Sequence, residues 1–289
     1  MKIMHTNTIL SSYHNATGKI DYTFTNDYMF RVLLQKNKRV LKALICSLLH
    51  LHPEEIKSIE ITNPIEPGRA IDNKEFILDI VILLNNNTLI NLEMQVENQL
   101  NWQDRSLAYL CRSYDQLLAG QDYNKSKPAI HIGFLNFTPF KDYPEFYASY
   151  KLLNIKNHNI YSDKFTLSVV DLTKINLATD EDKTYQIDYW AKLFKSATWE
   201  EIKMIAKNNE YLQEASETLY TLNADEMIRQ QCQARADYYR LQNAINQKMD
   251  ELTAENEKLS STNKKLSSEV EALKKLLEEN SVPYPSAFQ

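Results

Sequence analysis

Apolar residues first recur at helical spacing in "TNDYMFRVLLQKNKRVLKALICSLLHL", where Met29, Val32, Leu33, Leu41, Leu44, Ile45 and Leu48 mark a buried stripe. Thr25 or Asn26 suits the N-cap, Asp27 falls in the first turn, and Lys36-Asn37-Lys38 marks a break. "IKSIEIT" then predicts a short strand, and the Pro- and Gly-punctuated "PIEPGRAIDN" predicts a loop. In "EFILDIVILLNNNTLINLEMQVEN" two apolar runs flank Asn85-Asn86-Asn87, whose residues tolerate the left-handed conformations of a tight turn, so the stretch predicts a hairpin.

Helical spacing returns in "NWQDRSLAYLCRSYDQLLAG", with Leu107, Leu110, Cys111, Tyr114 and Leu118 as its apolar stripe and Gly120 suited to the C-cap. "PAIHIGFLNF" predicts a central strand, while "YASYKLLN" and "KFTLSVVDL" predict peripheral ones. Beyond about residue 180 strand signals vanish. "TWEE" is a capping box, with Thr198 as N-cap and Glu201 reaching back, and helical patterning runs from Ala224 to Glu279. Helix, strands, helix and strand in that order suggest a mixed α/β sandwich.

Composition narrows the class. The chain has 289 residues, 43% hydrophobic, with 4 Gly and 8 Pro, which suits globular rather than low-complexity structure. A formal net charge of -5 carries no chain-wide signature of nucleic-acid binding, so any such contact needs a local basic face or a metal ion. Cys46, Cys111 and Cys232 are far apart in segments of helical pattern, which predicts buried free thiols and a reducing compartment. The N-terminal "MKIMHTNTILSSYHN" lacks a signal-peptide pattern and no apolar run reaches membrane-spanning length, so we expect a cytoplasmic protein with no membrane partner.

The chemistry concentrates in the hairpin. Alternate strand residues share a face, which groups Asp79 with Val81 and Leu83, and Asn91 with Glu93 and Gln95. If Asn85 to Asn87 form the loop, Leu84 faces Thr88 and Asp79 falls opposite Glu93, with β-carbons about 4.5–5.5 Å apart. Two carboxylates that close stay ionised together when a cation sits between them, and all-oxygen ligands favour a hard divalent ion such as Mg²⁺. The alternative is a sheet with one dry and one wet face, and a two-residue loop would send the acids to opposite sides. A glycosidase pair is disfavoured, because its carboxyl groups stand at least about 5 Å apart across bound sugar.

Several stretches together carry a resemblance: "NDYMF", "KEFILDI", "INLEMQ", "RSLAYLCRSYD", "KPAIHIGFL", "YPEFYA" and "DYWAKLF". Over roughly residues 22 to 240 the chain resembles the PD-(D/E)XK nuclease superfamily, and more narrowly its family of recombination-promoting nucleases and transposases. The resemblance implies an α/β fold, a restriction-endonuclease-like mixed sheet flanked by helices, and the helical patterning after it adds a helical region and a C-terminal coiled coil. The corresponding divisions are an arm over 1–24, a nuclease-like domain over 25–178, a helical extension over 179–235, a coiled coil over 236–279 and a tail over 280–289.

It also implies a metal-dependent DNA endonuclease that promotes recombination or element mobility, using Mg²⁺ or Mn²⁺. Asp79 and Glu93 would hold the ion, with the backbone carbonyl of Met94 as a further ligand. Gln95 stands where the superfamily has Lys; an amide orients water by hydrogen bonding but is neither a cation nor a general base. Asp27 is either a further acid near the metal or a first-turn acid favoured by the helix dipole. Arg105, Tyr109 and Arg112 are spaced to share an exposed helix face that could meet phosphate; the alternative is a solvated face, the preferred reading for Arg112. His131, inside an apolar strand, reads as a core histidine, and His50 and His52 have no assigned role.

In the last helix Met249, Asn256, Asn263, Val270 and Leu277 occupy heptad position a, and Ile245, Leu252, Leu259, Leu266 and Leu273 position d. That seam predicts a parallel homodimer; the alternatives are a single amphipathic helix packed on its own domain and a solvated charged tail. A chain of this design that no longer cuts would be a coiled-coil scaffold or DNA-binding protein.

Overall fold

The computed structural model describes residues 12–65, 79–98, 101–117 and 121–283. Most of the "PIEPGRAIDN" loop, the start of the first hairpin strand, Gln99, Leu118 and Gly120 lie outside the described residues. Strand β1 (Ile59–Ile61) pairs with β2 (Ile80–Leu84), which returns through Asn85-Asn86-Asn87 into β3 (Thr88–Gln95). Asn85 and Asn86 adopt positive φ of 50° and 56°, the left-handed region that Asn tolerates. The turn sets the expected register, Leu84 against Thr88 and Ile80 against Leu92.

The remaining strands are β4 (Ala129–Leu135), β5 (Tyr147–Lys151) and β6 (Phe165–Asp171), in sheet order β1-β2-β3-β4-β6-β5. β3, β4 and β6 run parallel, and the other pairings are antiparallel. β4 is interior as its apolar run predicts, and β5 lies at an edge. The other strand expected at the periphery is also interior: β6 is covered by β5 on its outer side.

Even-numbered residues of the interior strands, including Ile82, Leu92, Met94, Ile132, Phe134 and Val170, build the main core. Helices α1 (Asp27–Lys36) and α2 (Lys38–Leu49) cover it, and the break between them is the expected one. Asn26 caps α1 by accepting from the Met29 amide, and Asn37 caps α2 by accepting from that of Val40. Phe30 of α1 meets Phe134 edge-on with centroids 5.5 Å apart.

After the short α4 (Asp180–Thr184), three further helices join the same core: α5 (Ile187–Lys195), α6 (Trp199–Ala206) and α7 (Glu210–Ala224), α6 opening on the Thr198–Glu201 capping box. α3 (Trp102–Tyr114) lies on the opposite, odd-numbered face of the sheet. The expected stripe of α3 is displaced. Its buried residues are Trp102, Ser106, Leu110 and Ser113, whereas Leu107 and Cys111 are exposed. Ser106 and Ser113 are small enough to pack closely and return their hydroxyls to their own helix, at the carbonyls of Gln103 and Tyr109. Hydropathy alone therefore turned the helix the wrong way. Cys46 and Cys232 are buried as expected, and burial pushes the Cys232 thiol up to about 12.

Residues 12–24 depart from the expected arm. Tyr13, Ile20 and Phe24 are buried in the core, and the backbone is tied by Ile20 N–H to Ala197 O at 2.9 Å and Trp199 N–H to Gly18 O at 3.0 Å. An irregular segment can anchor through isolated side chains without any periodic signal. Residues 179–224 share the core of the sheet, so the expected helical extension packs with it.

α8 (Glu226–Glu279) follows Asp225. Compact units comprise Met1–Ala236 and Asp237–Gln289. In the first unit, Arg235 Nε donates to Asp27 Oδ2 at 2.6 Å, joining the start of α8 to the start of α1. No described helix is long and apolar enough to cross a membrane.

Packing on the α3 face requires Gly133. A methyl group there would lie 2.0 Å from Cη2 of Trp102. Gly133→Ala is therefore expected to destabilise the protein by about 1–3 kcal/mol, read from the urea midpoint. Arg235→Met removes the buried ion pair of Asp27 and is expected to cost about 3–5 kcal/mol by the same measurement, whereas breaking an exposed pair such as Arg39–Glu210 should leave the midpoint nearly unchanged.

Candidate functional site

The hairpin register sets the site's first constraint. With Ile80 paired to Leu92, the next position outward places Asp79 across from Glu93, on the odd-numbered face that α3 covers. Asn91, Glu93 and Gln95 share this face of β3, and His131, Gly133 and Leu135 continue it onto β4. Asp79, Glu93 and Gln95 are each 4% exposed, so apolar packing and polar chemistry meet in one layer.

Each acid is positioned by a cation. Arg31 of α1, 1% exposed, donates through Nη1 to the backbone carbonyl of Asp79 and through Nη2 to that of Asn63. Asn63 also donates to the Asp79 carbonyl at 3.1 Å, and its Oδ1 accepts from the Val81 amide at 2.8 Å. These bonds fix the backbone at the entry to β2. Burial lowers the Arg31 guanidinium to about 10, against the attraction of Asp79, and leaves it charged near neutral pH.

Glu93 is gripped from the helix above. Arg105 of α3 donates to Glu93 Oε1 through Nε at 2.8 Å and Nη2 at 2.7 Å, a charge-assisted contact. Burial raises the Glu93 carboxyl above its ordinary range; Arg105 opposes that shift, and the charges of Asp79 and Asp27 add to it. Among the described residues Glu93 Oε2 has no hydrogen-bond partner.

The ring of His131 lies 3.7 Å from that oxygen through Nε2. Burial drives the imidazole down to about 3, so it is neutral and the approach is not an ion pair. Asn91 Nδ2 contacts His131 Nδ1 at 3.2 Å, while the Tyr109 ring stacks on the histidine at a centroid distance of 6.0 Å.

The other expected residues are distributed round this centre. Gln95 directs its amide N–H to the Glu97 carbonyl at 2.9 Å. Asp27 is 3% exposed, close enough to raise the Glu93 carboxyl, and bound to Arg235. Arg105 and Tyr109 are half-buried against the site rather than on an exposed face, with the guanidinium 5.1 Å from the Tyr109 centroid. Arg112 is exposed and lies 5.9 Å from the same ring. Sequence reasoning missed Arg31, Arg235 and Asn91 and gave His131 no role at the site. Asn91 carried a signal, lying two residues before Glu93 on the same strand face; the two arginines became neighbours only through packing.

The donor set fits a hard divalent ion. Two opposed carboxylates, one with an unpartnered buried oxygen, and an adjacent amide present oxygen ligands. Among the described residues no group of three or more His, Cys, Asp or Glu is arranged to hold a metal.

No curated protein and no solved structure matches the chain. The family described as PD-(D/E)XK nuclease family transposase matches residues 24–277, which extends past the roughly 22–240 of the expected resemblance. A mixed sheet bearing an acidic hairpin, with this match along most of the sequence, places the chain in the PD-(D/E)XK nuclease transposase family.

Proposed function

We propose that the protein is a metal-dependent DNA endonuclease that hydrolyses phosphodiester bonds in recombination or element mobility, acting as a homodimer in the cytoplasm. The observation that carries this reading is the buried, unpartnered Oε2 of Glu93 on the strand face opposite Asp79. A carboxylate oxygen so placed calls for a cation.

Asp79 and Glu93 would hold Mg²⁺ or Mn²⁺, with the Met94 backbone carbonyl as a further donor and Asp27 contributing negative charge nearby. When bound, the ion offsets phosphate charge and acidifies a water. Gln95 orients the attacking water by hydrogen bonding, since its amide neither carries charge nor takes a proton at neutral pH. Arg105, Tyr109 and Arg112 form the phosphate-facing side, where a guanidinium contacts two oxygens at once.

A second reading is a coiled-coil DNA-binding scaffold that does not cut. It is favoured by the Arg105 grip on Glu93, which already supplies a positive charge to that acid.

The dimer reading rests on the unit Asp237–Gln289. Leu252, Leu259, Leu266 and Leu273, all at position d, are 43%, 54%, 52% and 59% exposed in the single chain, which leaves the seam without cover. A second copy fits it: Asn256 and Asn263 at position a pair across a parallel dimer, and Glu269 at g can meet Lys274 at e of the partner helix. Two nuclease domains on one zipper would address both strands of a duplex.

Incubation with supercoiled plasmid tests the activity. Wild type is expected to nick with Mg²⁺ and not with EDTA. Asp79→Ala and Glu93→Ala should each lower the rate roughly a thousandfold, the effect of losing about 4 kcal/mol of charge stabilisation. Equal nicking by the variants would remove this site from the chemistry, and absence of nicking by every form would favour the scaffold. In sedimentation, the full chain is expected to be a dimer and a chain truncated at Arg240 a monomer; persistent dimers would move the interface into the first unit.

A further inference from the structure

Three buried polar atoms in one row lack hydrogen-bond partners among the described residues: Asn91 Oδ1, His131 Nε2 and Glu93 Oε2. They are neighbours. Asn91 and His131 are directly paired across β3 and β4, and Glu93 follows two residues along the same strand face. His131 is fully buried between two aromatic rings, Tyr109 stacked on it at 6.0 Å and Trp102 tilted to it at 5.6 Å between centroids. Nothing about that packing needs a nitrogen, because a phenyl ring would fill the same slot.

The contacts themselves give the nitrogens a task. Asn91 Nδ2 is a donor, so His131 Nδ1, 3.2 Å away, accepts. The ring proton then resides on Nε2, which faces Glu93 Oε2 at 3.7 Å. A small rotation of either side chain closes that gap to hydrogen-bond length. Arg105 already holds the other carboxylate oxygen, so a donor on Oε2 leaves Glu93 a single orientation.

We propose that Asn91 and His131 are positioning residues for Glu93: Asn91 sets the imidazole tautomer, and His131 presents Nε2–H to one lone pair of Glu93 Oε2, turning the other towards a hard divalent cation. The inference rests on the metal reading of the hairpin. It assigns the relay to orientation, with no proton transferred and no contact between His131 and substrate. Outer partners of this kind commonly set metal affinity as strongly as they set geometry.

The test uses the full chain and Mn²⁺ alone, with binding followed by electron paramagnetic resonance and folding by thermal melting. His131→Phe keeps the ring between Trp102 and Tyr109 and removes the N–H. It is expected to weaken Mn²⁺ binding about tenfold to a hundredfold while melting close to wild type, and His131→Gln, which restores an N–H donor, should recover part of the loss. Binding by His131→Phe within twofold of wild type, while Glu93→Ala loses the ion, would overturn the relay and leave the metal reading standing. Absence of Mn²⁺ binding by wild type, or retention by Glu93→Ala, would overturn the metal reading and the relay with it. Independently of any variant, ¹⁵N resonance of the His131 ring in wild type should place its proton on Nε2; a proton on Nδ1 overturns the relay.

Discussion

Removing ionised carboxylates from water is the constraint round which this structure is arranged. Asp79, Glu93 and Asp27 are almost completely buried within one neighbourhood, and the charges of Asp79 and Asp27 make Glu93 harder to ionise. Three arginines from three helices answer them. Arg31 fixes the backbone at Asp79, Arg105 binds Glu93, and Arg235 binds Asp27. α1 is thereby tied to the entry of β2, α3 to β3, and the start of α8 to the start of α1. Such an arrangement is expensive to build for stability alone, because a well-packed apolar centre of similar volume commonly does as well or better.

The sheet divides these duties between its faces. Even-numbered residues carry the main core under α1, α2, α5, α6 and α7, while odd-numbered ones carry Asn91, Glu93, Gln95 and His131 under α3. Period-two alternation is what allows a single eight-residue strand to do both. Gly133 sits where Trp102 lies against the sheet, and the missing side chain lets α3 approach closely enough for Arg105 to reach Glu93. Packing on one face therefore sets electrostatic geometry on the same face, two strands away from the nearest edge.

Membership in the PD-(D/E)XK nuclease transposase family agrees with this architecture, and it extends along most of the long helix as well as the sheet. Beside Glu93 the strand carries an amide, Gln95, and the nearby positive charge comes from the neighbouring helix through Arg105. The acidic hairpin is thus completed by residues that are distant in sequence.

What could be read directly was whatever local chemistry dictates. Three consecutive asparagines allow left-handed turn residues, that turn fixes Leu84 against Thr88, and counting outward brings Asp79 to Glu93. Asn26, the break at Asn37 and the Thr198–Glu201 box were legible for the same reason, since caps act within one helical turn. Long-range choices were not. Ser106 and Ser113 face the sheet because their hydroxyls are satisfied within their own helix, so hydropathy misplaced the buried side of α3. Ile20 and Phe24 anchor an irregular segment with no period to detect, and Arg235 reaches Asp27 across 208 residues of sequence. By itself the sequence determined turns, caps and strand register, each a matter of a few adjacent residues. Only tertiary structure decided which cations and which imidazole meet the acids, because the energy of burying a charge depends on everything packed around it.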